Sequence, residues 1–265
     1  DIVFSLGFQY NTSSSYMRLP LWMLEINWFN ANPDKIVNPR PVSLSSVTSV
    51  DPALLDKKSK FCAFVATNPN NANRNAAFNI LNGWKHVDSA GRLFCNRPEG
   101  PLPAGLGGGG GELIKVDYYK DFKFVIAYEN SAGHGYTTEK ILHAKVAGAV
   151  PIYWGDPFVD RDFTPGSFIN ANQFTKPEDL IAAVRKVYDD PVEWRKMAGT
   201  PALTEERKKA CEQTMELFAK RLFKLIVDVD VAVGSWDSAL IFGALHEAGT
   251  PPLAAPSVPV SYTHL

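Results

Sequence analysis

The chain has 265 residues, 45% hydrophobic and 21% charged, with 27 Lys and Arg against 28 Asp and Glu. This is a globular composition, long enough for one large domain or two small ones with a sizeable core. A net charge of −1 argues against a surface given over to nucleic acid.

No apolar run approaches the ~18 residues of a membrane-spanning helix. Cys62, Cys95 and Cys211 are too few and too scattered for a disulfide framework or a zinc cage. They are expected to be buried small hydrophobes in a reducing compartment. The first residue is Asp1 rather than Met, so an upstream segment is expected to be missing. Residues 227–265 hold four acids and no Lys or Arg. Within them, 250–265 are rich in Pro, Ala and Val and are expected to be disordered or foreign sequence.

In chain order, residues 2–8 read as a buried strand and 21–29 as a helix. Pro33, Pro39, Pro41 and Pro52 make 30–52 an irregular linker. Residues 61–66 are a second buried strand, and 73–84 a helix with Ala76, Ala77, Ile80, Leu81 and Trp84 at helical spacing. A loop over 97–111 ends in five glycines, Gly107 to Gly111. Residues 124–128 are a strand, 138–147 a helix, 150–154 a strand and 168–169 a short one. A helix over 177–188 is opened by a capping box of Thr175 and Glu178. The longest helix, 204–226, lines up Cys211, Met215, Phe218, Leu222 and Ile226 on one face. Strands alternating with helices predict an α/β fold with a mainly parallel sheet covered on both faces. Such sheets bind ligands beyond the carboxyl ends of their strands.

The densest chemistry lies in 128–140, between a strand and a helix. Gly133 and Gly135 allow close backbone approach and positive φ. Thr137 or Thr138 caps the helix, whose free amides attract phosphate. Lys140 adds a full charge, and Glu139 suits the hydroxyls of a ribose or hexose. Together they fit a nucleotide-sugar. An ordinary capped turn is the alternative, because Gly-x-Gly alone does not match the dinucleotide fingerprint. A second polar loop, 68–75, follows the strand at 61–66, and its Arg74 can fork onto a diphosphate. His134 is expected to be solvated, Glu129 buried beneath the loop, and Trp154 packed at a strand end. The helix from 204 carries Arg207, Lys208, Lys209, Lys220, Arg221 and Lys224. Glu205, Glu206, Glu212 and Glu216 dilute that patch, so a solvated face is expected, with peripheral membrane contact as the alternative.

The stretch from Phe124 to Asp156, with Glu129-Asn130-Ser131, Gly135-Tyr136-Thr137-Thr138-Glu139-Lys140 and Val150-Pro151-Ile152-Tyr153-Trp154-Gly155-Asp156, resembles the signature of family 10 glycosyltransferases. These are the α1,3/α1,4-fucosyltransferases. Tyr16 to Leu21, Phe61 to Asn75, Val87-Asp88-Ser89, Arg161-Asp162-Phe163 and Ser167 to Asn170 resemble the family in the same order. The short inserts are closer to its bacterial branch.

The resemblance implies a GT-B architecture of two Rossmann-like domains. Residues 1–58 would end the N-terminal acceptor domain, 59–226 would form the donor domain, and 227–265 a tail. It implies that Arg74 and Lys140 contact the diphosphate of GDP-fucose, while Asn130, Tyr136 and Glu139 line the nucleotide-sugar pocket. Transfer would invert the anomeric centre, without metal or other cofactor, onto a glycan such as N-acetyllactosamine. The family's proposed base has no counterpart in this chain, so the catalytic residue is unknown. The longer glycine-rich loop is expected to be a flexible linker. The alternatives are a non-catalytic GDP-sugar-binding module or a transferase of another GDP-sugar. The setting would be cytoplasmic or peripheral membrane for a bacterial protein, and the Golgi membrane for a eukaryotic one.

Overall fold

A computed structural model describes residues 5–7, 16–28, 42–103 and 110–233. The chain divides into two units, Asp1–Asn27 with Pro39–Lys208, and Trp28–Asn38 with Lys209–Leu265.

The first unit is built on a five-stranded parallel sheet of β3 (Lys60–Phe64), β4 (Val87–Ser89), β5 (Phe122–Tyr128), β6 (Val150–Trp154) and β7 (Ile169–Asn170). Its order is β4-β3-β5-β6-β7. Helices α3 (Ala72–Trp84), α4 (Gly110–Tyr119), α5 (Glu139–Val146), α6 (Pro177–Asp189) and α7 (Pro191–Gly199) connect and cover the strands. Alternation along β5 divides the core. Phe124, Ile126 and Tyr128 pack with Phe78 and Leu81 of α3, Val184 of α6 and Trp194 of α7. Val125 packs on the other face with Val116 and Tyr119 of α4 and Ala144 of α5. The chain leaves β3 toward β4 on one side, then returns to β5 on the other. That reversal makes the carboxyl ends of β3 and β5 the topological switch point, where doubly wound sheets hold their ligands.

Several expectations need correction. Residues 5–7 form β1 (Ser5–Gly7), pairing in parallel with β2 (Tyr16–Arg18), while 2–4 and 8 lie outside the described residues. The helix expected over 21–29 is a 3-10 helix at Leu21–Glu25, because Ile26 turns extended to bridge Val42. The expected linker contains α1 (Leu44–Thr48), and α2 (Pro52–Asp56) starts at its last residue. Ser43 and Asp51 cap them by accepting from Ser46 N and Ala53 N, and Pro52 takes the first-turn position where a missing N–H costs nothing. The glycine run is not all loop, since α4 starts at Gly110. Residues 104–109 and 29–41 lie outside the described residues. The capping box at Thr175 does not form; α6 begins at Pro177 with Lys176 as an N-cap that makes no side-chain bond. Cys62 is buried, but Cys95 and Cys211 are half-buried.

Helix α8 (Glu205–Val233) runs past its expected end at 226 and supplies most of what is described in the second unit. Of its expected apolar face, Met215 is buried, Cys211 and Phe218 are half-buried, and Leu222 is exposed. Residues 250–265 lie outside the described residues.

Two buried lysines cap helix ends. Lys58 Nζ donates to Ala147 O at 2.5 Å and Tyr119 O at 3.3 Å, closing α5 and α4. Lys145 Nζ donates to Ala198 O at 2.9 Å and Met197 O at 3.2 Å, closing α7. Burial pushes both ammonium groups down to about 7. Above pH 7 the folded chain has released protons that the unfolded chain still holds, so raising the pH favours folding. Stability is therefore expected to rise from pH 7 to 8.5, by up to ~1.4 kcal/mol per pH unit for each lysine. Above that range the buried Cys62 thiol, pushed up by desolvation, pulls the other way. Urea unfolding across this window, with Lys145→Met alongside, checks the slope. A flat profile in the parent chain would refute it.

Candidate functional site

Four peptide segments meet at the switch point. The loop after β3 leads into α3 through Asn71, whose side chain accepts from Arg74 N at 2.9 Å and so caps the helix. The same Asn71 amide donates across the sheet to Glu129 O at 2.7 Å and Asn130 O at 3.2 Å. This one side chain ties the two loops that the sequence singles out. The β4 exit passes Gly91, where an added Cβ would lie 2.1 Å from Ala66 O. Only glycine permits that approach of two backbones. The first turns of α5 and the body of α4 complete the enclosure.

The result is a cleft of about 360 Å³ with Arg74, Asn130, Glu139 and Lys140 in its lining, joined by Asn68, Gly91, Arg92 and Lys115. Four of the five expected donor residues are thus brought together. Tyr136 is not in this lining; it lies half-buried beyond Gly135, its amide donating to Gly133 O at 3.0 Å. Gly135 has φ +82°, the left-handed turn its position demands. Arg92 and Lys115 were missed. Nothing in their local sequence distinguishes them, because β4-exit and α4 residues reach the cleft only through the strand order.

Arg74 is 3% exposed. Its Nη1 donates to Asn130 Oδ1 at 2.6 Å, its Nη2 donates to Asn68 O, and its Nε has no partner among the described residues. No carboxylate lies within hydrogen-bonding distance of the guanidinium among the described residues. Burial lowers its pKa, opposed by Glu129, but an arginine stays protonated. It is a buried cation short of a counter-ion at the edge of a cleft.

Glu129 sits fully buried beneath the start of α5. Its Oε1 accepts from Thr138 N at 2.7 Å, its Oε2 from Thr138 Oγ1 at 2.6 Å, and Lys140 Nζ lies 3.2 Å from Oε2. This corrects one expectation. The leading amide of α5 is not open to a phosphate, because a carboxylate of the chain already occupies it. Thr138 holds the N-cap position, yet its hydroxyl serves Glu129 rather than the helix. Burial drives the Glu129 pKa up, opposed by Lys140 and Thr138. Gly155 closes over it, where any Cβ would fall 2.4 Å from Glu129 Cγ.

Glu139 lies between two lysines, 3.3 Å from Lys115 Nζ and 3.5 Å from Lys140 Nζ. Burial alone would raise its pKa, but Lys140 and Lys115 outweigh it and hold the carboxyl well below the usual range. For Lys140 burial opposes the charge, while Glu129 and Glu139 prevail and raise its pKa. Four cations against two carboxylates leave the cleft positive. Among the described residues no group of His, Cys, Asp and Glu could hold a metal.

The remaining expected residues fall nearby. His134 is exposed, its ring edge-on to Phe158 at 4.9 Å. Trp154 ends β6 and stacks on Tyr128. Arg18 binds Asp162 through two 2.7 Å bonds and reaches Gly135 O at 3.3 Å, while Trp22 Nε1 joins Asp162 at 3.1 Å. The segment around β2 is thereby tied to the glycine turn.

The positive, polar cleft thus lies at the switch point of a parallel α/β sheet, the place where such sheets hold their ligands. The profile of the C-terminal region of glycosyltransferase family 10 (fucosyltransferase) matches residues 54–228, and the chain belongs to that family. It is 34% identical over 131 residues to the alpha-(1,3)-fucosyltransferase FucT of Helicobacter pylori, covering 49% of this chain and 25% of the relative. It is 28% identical over 197 residues to GDP-fucose protein O-fucosyltransferase 3 of Bos taurus, covering 68% and 38%. A crystal structure of an alpha1,3-fucosyltransferase with GDP-fucose superimposes with a TM-score of 0.58 at 22% identity, over 81% of this chain and 69% of that one. The five-stranded sheet is thus the fold of a GT-B fucosyltransferase. The matched segments span less than two-fifths of the length of these curated relatives.

Proposed function

We propose that this chain binds GDP-fucose and forms the donor half of an enzyme that transfers L-fucose, with inversion, to a GlcNAc-containing glycan through an α1,3 or α1,4 linkage. The observation that carries this reading is Arg74, a buried cation without an ionic partner at the switch-point cleft. A diphosphate supplies the missing counter-charge. As the sugar departs, the leaving GDP gains charge, which Arg74 and Lys140 would meet, with the exposed Arg92 in the same lining. Preorganised cations of this kind stabilise a transition state without reorganising. Glu139, kept ionised by Lys115 and Lys140, is left to accept from ribose or sugar hydroxyls.

Calorimetry against GDP, GDP-fucose, GDP-mannose and UDP-sugars tests the reading. Binding of GDP and GDP-fucose well ahead of the UDP-sugars is expected, and equal or absent binding of all of them would overturn it. Glu139→Gln separates sugar recognition from phosphate recognition. The carboxylate accepts strongly from hydroxyls and repels phosphate, so the variant is expected to bind GDP more weakly but pyrophosphate equally or more tightly. An equal loss for both ligands would make Glu139 structural.

A further inference from the structure

We propose that a second cleft, on the α3–α6 side of the sheet's carboxyl end, binds a neutral pyranose ring of the acceptor glycan. The identity of the ligand rests on the fucosyltransferase reading above. The cleft measures about 200 Å³, below the ~300–1,000 Å³ typical of drug-sized pockets, which suits a single ring. Its wall is Tyr128 and Trp154, the last residues of β5 and β6, which pair across the ladder. Their rings stack 5.8 Å apart at 24°. Phe174 adds a further aromatic side, and Asn73, Thr175 and Lys176 contribute polar groups.

Tyr128 is the decisive group. It is 5% exposed, and its hydroxyl has no hydrogen-bond partner among the described residues. That hydroxyl is not among the sealed buried atoms, so solvent reaches it, and its residue lines the cleft. A reachable tyrosine hydroxyl with no protein partner can exchange its water for a ligand hydroxyl, while its ring supplies apolar contact. Desolvation raises its pKa, which keeps it a neutral donor. An aromatic wall with an unfilled neutral hydroxyl matches a pyranose, which offers an apolar C–H face and hydroxyls around its rim.

The placement separates this cleft from the donor's. The first turn of α3 sends Arg74 to one cleft and Asn73 to the other, and β5 gives Tyr128 to this one while Asn130, just beyond, lines the other. The cations suited to a diphosphate line the first cleft. The second has only the exposed Lys176. A neutral sugar fits here, whereas a diphosphate finds no buried cation.

Saturation-transfer NMR with N-acetyllactosamine, on the chain saturated with GDP, tests the proposal. Binding is expected, weakened about fivefold by Tyr128→Phe, the size of one neutral hydrogen bond. Trp154→Leu is expected to weaken it by about tenfold or more, and both variants should retain GDP affinity in calorimetry. Absence of saturation transfer with the parent chain, or unchanged binding in both variants, would overturn the proposal while GDP affinity leaves the donor reading intact. Weakened GDP-fucose binding in Tyr128→Phe, with GDP unaffected, would place the donor's own sugar here and overturn the acceptor assignment. Loss of GDP binding by the parent chain would instead remove the donor reading on which the ligand's identity rests.

Discussion

Glu129→Ala is expected to lower the melting temperature by ~6–20 °C. The carboxylate is fully buried and holds both the amide and the hydroxyl of Thr138, with Lys140 against it. Removing one member of a buried pair typically costs ~3–5 kcal/mol, and Lys140 is left with Glu139, 3.5 Å away, as its remaining carboxylate. In a chain of this size each kcal/mol shifts the midpoint by ~2–4 °C. The truncation also leaves Thr138 N without its acceptor at the start of α5. Glu129→Gln keeps an oxygen for Thr138 but turns either oxygen or amide toward Lys140, so a smaller loss is expected. Differential scanning calorimetry decides the matter. If Glu129→Ala melts within ~2 °C of the parent chain, Lys140 does not depend on Glu129 and the ionic chain beneath the cleft has been misread.

Arg74→Ala is expected to behave in the opposite way, costing binding more than stability. Its guanidinium meets a side-chain amide oxygen and a backbone carbonyl, with no carboxylate bound to it among the described residues. Removing a desolvated cation that lacks a counter-ion relieves a desolvation cost as it removes those two bonds, so the melting temperature is expected to move by only a few degrees. Donor affinity is different. A hydrogen bond to a charged group contributes ~1.5–3 kcal/mol, so GDP is expected to bind tenfold or more weakly. In the parent chain, GDP at a hundred times its Kd adds ~2.7 kcal/mol of stability; the same concentration should add far less in the variant. Arg74→Lys is not expected to rescue binding, because a point charge cannot fork onto two phosphate oxygens. Unchanged GDP affinity in a folded Arg74→Ala protein would remove Arg74 from the site.

Burial and positive charge at one sheet edge explain why the two variants diverge. Glu129 is surrounded by groups that use its oxygens, Thr138 as donors and Lys140 as a cation. Among the described residues Arg74 is hydrogen-bonded to neutral groups, with Glu129 near enough only to oppose the effect of its burial. The first arrangement stabilises the resting protein, and the second leaves an attraction unused until an anion arrives.

The apolar runs at 61–66, 124–128 and 150–154, and the helical spacing over 73–84 and 177–188, were readable because a strand buried on both faces and an amphipathic helix each impose a local pattern. The loops at 68–75 and 128–140 were readable for the same local reason, as polar and glycine-bearing connections at strand ends. Helices α1, α2 and α7 left only short signals, a capping Ser43, an Asp51-Pro52 pair and an Asp190-Pro191 pair, which prolines and brevity disguised. Helix α4 hid behind its glycines, since its stability comes from Val116 and Tyr119 packing on β5 residues rather than from propensity.

Residue types and their spacing along single segments therefore settle the class of sheet and most of its elements, and mark the 68–75 and 128–140 loops as candidates, while the resemblance joined them on one ligand. The strand order lies beyond them, because a ladder joins residues far apart in the chain and its partners leave no local mark. That order places Arg92 and Lys115 in the switch-point cleft and leaves Tyr136 out of its lining. Tertiary packing also seats the Glu129 carboxylate on the leading amide of α5, a place that local reading assigned to a phosphate. A helix start attracts any anion, and only the folded chain determines that the nearest one is its own.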